Sequence, residues 1–146
     1  MIRRYGDTPK PGQRYKARPG VYAILPLGGK LLLTYQGDPH HEIQLPGGGI
    51  DPGEHPLNAL HREVFEETGW RIAAPRKLGT FRRFAYMPEY DMWAEKLCHI
   101  YLARPVRPHG PATEPGHIPL WMAPEVAVSE LYNDGDADFV AWVAGL

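Results

Sequence analysis

HPLNALHREVFEETGW, residues His55–Trp70, reads as a helix that crowds three acids onto one side. Pro56 suits the first helical position, where its missing N–H costs nothing. Leu57, Leu60 and Val64 recur at i, i+3 and i+7 as an apolar stripe, and Gly69 supplies a C-terminal stop. The spacing predicts a helix over residues 56–68. Glu63, Glu66 and Glu67 then fall at i, i+3 and i+4, where like charges repel by roughly a few tenths of a kcal/mol per pair. No lysine or arginine stands four residues after Glu63 or Glu66, and Arg71, four past Glu67, lies beyond the glycine stop. The ordinary surface remedy for such repulsion is therefore expected to be missing, although Arg62 adjoins Glu63.

An acidic helix face is often no more than solvated surface, so the residues in front of the helix matter. LPGGGIDPGE carries Gly47, Gly48, Gly49 and Gly53, positions where backbone approaches a ligand with no Cβ in the way. Crowded carboxylates with open access call for a divalent cation. An oxygen-only donor set favours Mg²⁺ or Mn²⁺ over zinc, and Mg²⁺ shares its remaining positions with substrate phosphates. The pattern points to chemistry on phosphates, where a metal polarises a phosphoryl oxygen, supplies hydroxide and neutralises the leaving group.

The bulk numbers are compatible with a small enzyme. The 146 residues suggest one domain, 43% hydrophobic and 23% charged, enough for one core without staples. A net charge of -1 gives no reason to expect a nucleic-acid or membrane partner. The one cysteine, Cys98, excludes an internal disulfide framework and fits a reducing, cytoplasmic setting. Within the apolar run LCHIYLA it reads as a small core residue. The first residues show no secretory signal, and no run approaches the ~20 apolar residues of a membrane span. Residues 1–17 read as a basic arm: through position 18 they bring Arg3, Arg4, Lys10, Arg14, Lys16 and Arg18 against Asp7 alone. Such an arm is either solvated or a basic flank to a phosphate-bearing ligand.

GVYAILPL and KLLLTYQ are strand-length apolar runs joined through Gly28-Gly29, a hairpin signal. GDPHHE reads as a loop, and EIQLPGGGIDPGE as a short strand entering a bend. After the helix, RKLGTFRRFAYM and EKLCHIYLARPV read as strands, RPHGPATEPGH as a loop and HIPLWMAP as a further strand. DADFVAWVAGL closes as a helix with Phe139, Val140 and Val143 on one stripe. Strands, helix, strands, helix suggest a mixed sheet covered by helices, an α/β sandwich.

From Gly48 five residues lead to Glu54, seven more to Arg62, and then REVFEETGW. This resembles the box of the Nudix hydrolases, G-x5-E-x7-R-E-U-x-E-E-x-G-U with U bulky and apolar. Every fixed position is filled: Gly48, Glu54, Arg62, Glu63, Val64, Glu66, Glu67, Gly69 and Trp70. The resemblance implies the Nudix fold over 18–146, a mixed β-sheet sandwiched between α-helices. It implies hydrolysis of a nucleoside diphosphate linked to another group X. Glu66 and Glu67 would be the principal metal ligands, Glu63 a further ligand or the general base, and the Gly47 carbonyl part of the metal shell. Arg62 would pair with a box carboxylate, Glu54, and hold loop to helix. The general base is not fixed in that family and is often a glutamate outside the box. YMPEYDMWAEKL offers Glu89, Asp91 and Glu95, of which Glu95, directly before a strand, is preferred. Where many relatives carry an aromatic residue before LPGG, this chain has Gln44.

The box leaves X open among a dinucleoside polyphosphate, a nucleoside triphosphate and an ADP-sugar. Tyr86 lies 16 residues past Trp70, a position resembling the tyrosine of dinucleoside polyphosphate hydrolases, and Pro88 lies near the proline spacing of ADP-ribose pyrophosphatases. Phe84, Tyr86, Tyr90 and Trp93 are candidates to stack on a base, and Arg82 and Arg83 to meet phosphates. His40 and His41 are adjacent on an extended loop and point apart, so they are not expected to share a metal. His55 is expected at the helix start rather than in catalysis. A nucleotide sensor that does not cleave is the alternative, but such a protein is expected to lose a box glutamate or the arginine. Dimers are common in the family, so a homodimer is an expectation carried by the resemblance alone.

Overall fold

A computed structural model describes residues 2–146. The chain order is β1 (Arg3–Tyr5), β2 (Lys16–Ile24), β3 (Pro26–Leu27), β4 (Lys30–Gln36), β5 (Glu42–Gln44), β6 (Gly47–Gly49) and α1 (Pro56–Thr68). Then come β7 (Trp70–Met87), a 3₁₀ turn (Pro88–Tyr90), β8 (Met92–Pro108), β9 (His117–Met122), α2 (Pro124–Glu130) and α3 (Asp134–Ala144). The main sheet runs β1-β7-β8-β2-β6. It is mixed: β2 lies parallel to β8 and β1 to β7, whereas β7–β8 and β2–β6 are antiparallel. A second sheet gathers β3, β5 and β9 against β4.

Side-chain alternation along β2 divides the core. Val21, Ala23 and Leu25 join Ala59, Leu60 and Val64 of α1, with Leu32, Tyr101 and Ala103. Ile24 turns the other way, with Leu31, Leu33, Phe81, Cys98 and Ile100 against Ala137 and Val140 of α3. A strand exposes successive side chains to opposite faces, so alternating apolar residues in β2, β4 and β8 require cover on both. The helices supply it: α1 on one side, α2 and α3 on the other. The α/β sandwich expected from the order of elements is the architecture observed.

Locally, α1 covers the predicted span. His55 caps it, its Nδ1 accepting from the Leu57 N–H at 3.1 Å. Gly69, at φ 76°, closes it with its N–H on the Phe65 carbonyl. Gly28 and Gly29 both have positive φ, as a two-residue turn matching strand twist requires.

Three features differ from the sequence reading. Arg3–Tyr5, within the basic arm, pairs with Phe81–Arg83; backbone pairing at an edge needs no apolar pattern. The helix Pro124–Glu130 was hidden because seven residues hold too few turns for a stripe. Pairing extends to Trp70↔Pro108, so the long loop begins later than Arg107. Pro75 is accommodated where the β7–β8 register shifts between Ala73 and Arg76, since a bulge releases the ladder bond a proline cannot make.

Candidate active site

Arg62 organises the loop–helix unit. Its Nε and Nη2 donate to the two Glu54 oxygens at 2.8 and 2.9 Å, the parallel fork that guanidinium and carboxylate geometry favours. Nη2 also reaches the Gly49 carbonyl at 3.2 Å. Nη1 donates to Glu63 at 3.0 Å and to Glu66 at 3.3 Å. The expected lack of a helix partner is thus corrected: Arg62 stands four residues before Glu66, so the remedy runs from the N-terminal side. Arg62 holds the Glu54 carboxyl down at about 2, and the acids around Arg62 raise its own pKa.

Glycine shapes the mouth of the site. A Cβ on Gly48 would strike the Glu63 carboxylate. One on Gly47, at φ 156°, would strike the Val21 carbonyl and Tyr22. The loop therefore lies directly on the acids and on β2, at a spacing only glycine permits.

Glu67 is 5% exposed. It accepts from the Gly47 N–H at 3.2 Å. Its other oxygen lies 3.7 Å from His117 Nε2, and His117 Nδ1 lies 3.1 Å from the Thr34 hydroxyl. Burial raises the Glu67 pKa well above the carboxylate range, the Gly47 N–H opposes that, and Glu63, Glu114 and Glu66 add to the rise. Glu63 is raised as well, by burial first, against the pull of Arg62.

Glu63, Glu67 and Glu114 line one end of an open cleft of about 860 Å³, a size that suits a nucleotide. Glu114 arrives on the loop before β9. The N–H groups of Thr113 and Glu114 both donate to the Glu66 carbonyl at 2.8 Å, fastening that loop to the end of α1. No periodic pattern in the sequence announces Glu114; its place follows from the tertiary contact.

The other predicted residues divide. Gly47, Arg83 and Tyr86 line the cleft, whereas Glu66, Arg62, Arg82 and Glu95 do not. Glu95 and Arg82 pair with each other at 3.4 Å. Alternation explains it: Lys96 and Cys98 of β8 face the cleft, so Glu95 points to the opposite face. Tyr86 sits at the rim, 43% exposed, donating to Asp91. His40 pairs with Glu89 and with Glu42, and His41 with Asp38, so the two histidines do serve different partners. Lys96, His117 and Asp136 also line the cleft and were missed.

The donor chemistry fits a hard divalent cation. Glu67 is a buried carboxylate with one hydrogen-bond donor, and three further glutamates stand near it. Glu63 and Glu66 are held by Arg62, and among the described residues no three potential ligand side chains already converge. The acids offered are oxygen donors that suit Mg²⁺ or Mn²⁺.

A NUDIX domain family model matches residues 16–143. An RNA pyrophosphohydrolase of Bartonella quintana (strain Toulouse) is 35% identical over 109 residues, 70% of this chain and 55% of that protein. The chain spans about half the length of the curated relatives it matches. Among solved structures, the MutT protein of Bacillus halodurans superposes with a TM-score of 0.68 at 20% identity, covering 84% of this chain and 79% of that one. The MutT protein of Methanosarcina mazei Go1 gives 0.67 at 21%, covering 88% and 94%. At those identities the two structures speak to the fold.

Proposed function

From membership of the NUDIX family, to which this chain belongs, we infer that it is a metal-dependent pyrophosphohydrolase acting on a nucleoside diphosphate linked to a group X. The single observation that carries the reading is the filled box, with Glu63 and Glu67 on a cleft sized for a nucleotide. The pyrophosphohydrolase named among the relatives supports a phosphoanhydride bond as the target. The sensor alternative is disfavoured because every box glutamate and the arginine are kept.

Glu63, Glu66 and Glu67, with the Gly47 backbone, would hold Mg²⁺ or Mn²⁺. When bound, the metal supplies charge neutralisation on the diphosphate and a lowered pKa for a coordinated water. Arg62 keeps loop and helix in one arrangement and carries no chemistry. Arg18 lies over the Tyr90 ring at 4.8 Å, between the glycine loop and Lys96, with its Nη2 3.8 Å from where a Gly49 Cβ would stand, and would offset charge on a substrate crossing that part of the cleft. Glu114 is the carboxylate outside the box that stands beside Glu63 and Glu67. We assign it, in place of Glu95, to accept the proton of the attacking water.

A cytoplasmic setting and a homodimer belong to the same reading. Among the described residues no helix is long and apolar enough to cross a membrane. The test is phosphate release, after a coupled phosphatase, from dinucleoside polyphosphates, nucleoside triphosphates and ADP-sugars with and without Mg²⁺. Metal-dependent turnover of at least one is expected; no turnover on any would favour the sensor.

A further inference from the structure

Arg83 and Lys96 stand directly opposite each other on β7 and β8, and both line the cleft. Like charges so placed destabilise a sheet. Neither side chain has a carboxylate within ion-pairing distance among the described residues; the nearby acids are engaged elsewhere. Glu89 and Glu42 are taken by His40, and Glu42 also accepts from Gln44 at 2.9 Å. Asp136, 4% exposed, accepts from Asn133 at 3.0 Å, and burial pushes its carboxyl up to about 7 in spite of both cations. Lys96 is partly buried, and burial together with Arg83 lowers its pKa. Asp134 also lines the wall. Arg18, over the Tyr90 ring at 4.8 Å, stands in register with Lys96 on its other side, so three cations form a row across the cleft, and among the described residues Arg83 and Lys96 have no ion pair to offset them.

The strand order sets the separation. β6 carries Gly47–Gly49 against Glu63 and Glu67, and β2 stands between β6 and β8. At ~4.8 Å across each strand and ~3.3 Å per residue along it, Lys96, in register with Arg18 and so two to four residues along from the partners of Gly47–Gly49, lies roughly 12–16 Å from that loop, and Arg83, one strand further, roughly 16–20 Å. A nucleoside or sugar bridges such a span.

We propose that Arg83 and Lys96 form an anion subsite, and that the substrate carries a phosphate group at the end remote from its scissile diphosphate. The inference rests on the pyrophosphohydrolase reading for the second half of that statement only. Guanidinium and ammonium together supply a planar fork and a point charge, a pair well suited to a phosphate monoester. The Tyr132 ring, 5.9 Å from the Arg83 guanidinium, flanks the approach.

Two measurements test it. The first follows the melting temperature during titration with inorganic phosphate, in EDTA and at constant ionic strength; a ligand that binds only the folded chain raises it. The parent is expected to respond saturably. Arg83→Gln and Lys96→Met should each weaken that response about tenfold or more, a loss of ~1.4 kcal/mol per decade, and Lys30→Met, on the distant hairpin turn, should not. Without phosphate, Lys96→Met should melt above the parent, because it removes one of two facing like charges. A parent that does not respond, or a double variant that responds as the parent does, overturns the subsite.

The second compares kcat/KM, with Mg²⁺, for nucleoside diphosphate substrates with and without one further phosphate on the nucleoside ribose or on X. The parent should prefer a phosphorylated member by about tenfold, and the double variant should lose the preference. Equal kcat/KM across the pairs in the parent overturns the substrate assignment. If neither member of any pair is turned over, the pyrophosphohydrolase reading and the substrate assignment fall together, and the phosphate titration alone decides the subsite.

Discussion

Arg62 grips Glu54 through two parallel N–H bonds of 2.8 and 2.9 Å across eight residues of chain. The same guanidinium reaches Glu63, Glu66 and the Gly49 carbonyl. Arg62→Ala should therefore lower the melting temperature and cut turnover by roughly 10–100-fold, the usual effect of losing a group that orients metal ligands. Arg62→Lys should recover little of either, because an ammonium cannot make the fork. Thermal melts and Mn²⁺ titrations of the three proteins would check this, and full rescue by lysine would contradict it.

Glu67 holds a charge at a stability cost, whereas Glu66 has an arginine partner. Glu67→Gln removes a buried carboxylate whose charged form is disfavoured. In EDTA the variant should melt at or above the parent, while Mg²⁺ should raise the melting temperature of the parent alone. Glu66→Gln loses one partly exposed ion pair, worth roughly 0–1 kcal/mol, and should lose far more in turnover than in stability. A variant that unfolds early and retains full activity when folded would refute the assignment.

Gly48→Ala tests the close approach of loop and helix. The added methyl meets the Glu63 carboxylate rather than packed core. Activity should drop by at least about tenfold, an expectation taken from displaced ligand-orienting groups, with a small change in unfolding midpoint. Unchanged kcat/KM would show that Glu63 has room to move without consequence.

Glu114 and Glu95 make opposite predictions. Glu114→Gln should depress kcat and flatten the acidic limb of the pH–rate profile, as loss of a general base does. Glu95→Gln, on the other face of the sheet with Arg82, should leave kcat near the parent value. The reverse ranking would return the role to Glu95.

Asp136 predicts a pH dependence of stability. Burial pushes its carboxyl from 3.8 up to about 7. Between those values the folded chain keeps a proton that the unfolded chain has released, so unfolding free energy falls as pH rises from about 4 to about 7. The loss attributable to this group is on the order of a few kcal/mol at most. Asp136→Asn should match the parent near pH 4 and exceed it at pH 7; urea midpoints at both values would show the divergence.

These side chains also mark what was legible in the sequence. The helix at 56–68, its caps, the Gly28-Gly29 turn and the sandwich follow from periodicity and turn chemistry, which are local. Glu95 was preferred for its place directly before a strand, whereas alternation from Cys98 puts Lys96 toward the cleft and Glu95 on the other face. The Arg62–Glu66 pair runs from the N-terminal side of the acid, where in the sequence Arg62 stands out only as the neighbour of Glu63. Glu114 and His117 had no such signal: they reach Glu67 through a loop fastened to α1 and a strand paired with β4, contacts that no short window of sequence contains.

One consequence concerns the order of assembly. Lys16 pairs with Ala94 and Ile24 with Leu102 in parallel, partners more than half the chain apart. Contacts so distant must close a large loop before they return any free energy, and they form slowly. The helix bearing the acids needs only its neighbours, yet the surface opposite it waits for the last third of the polypeptide. Pulse-labelled hydrogen exchange should find amides of residues 56–68 protected before those of residues 16–24; simultaneous protection would show that the two halves nucleate together.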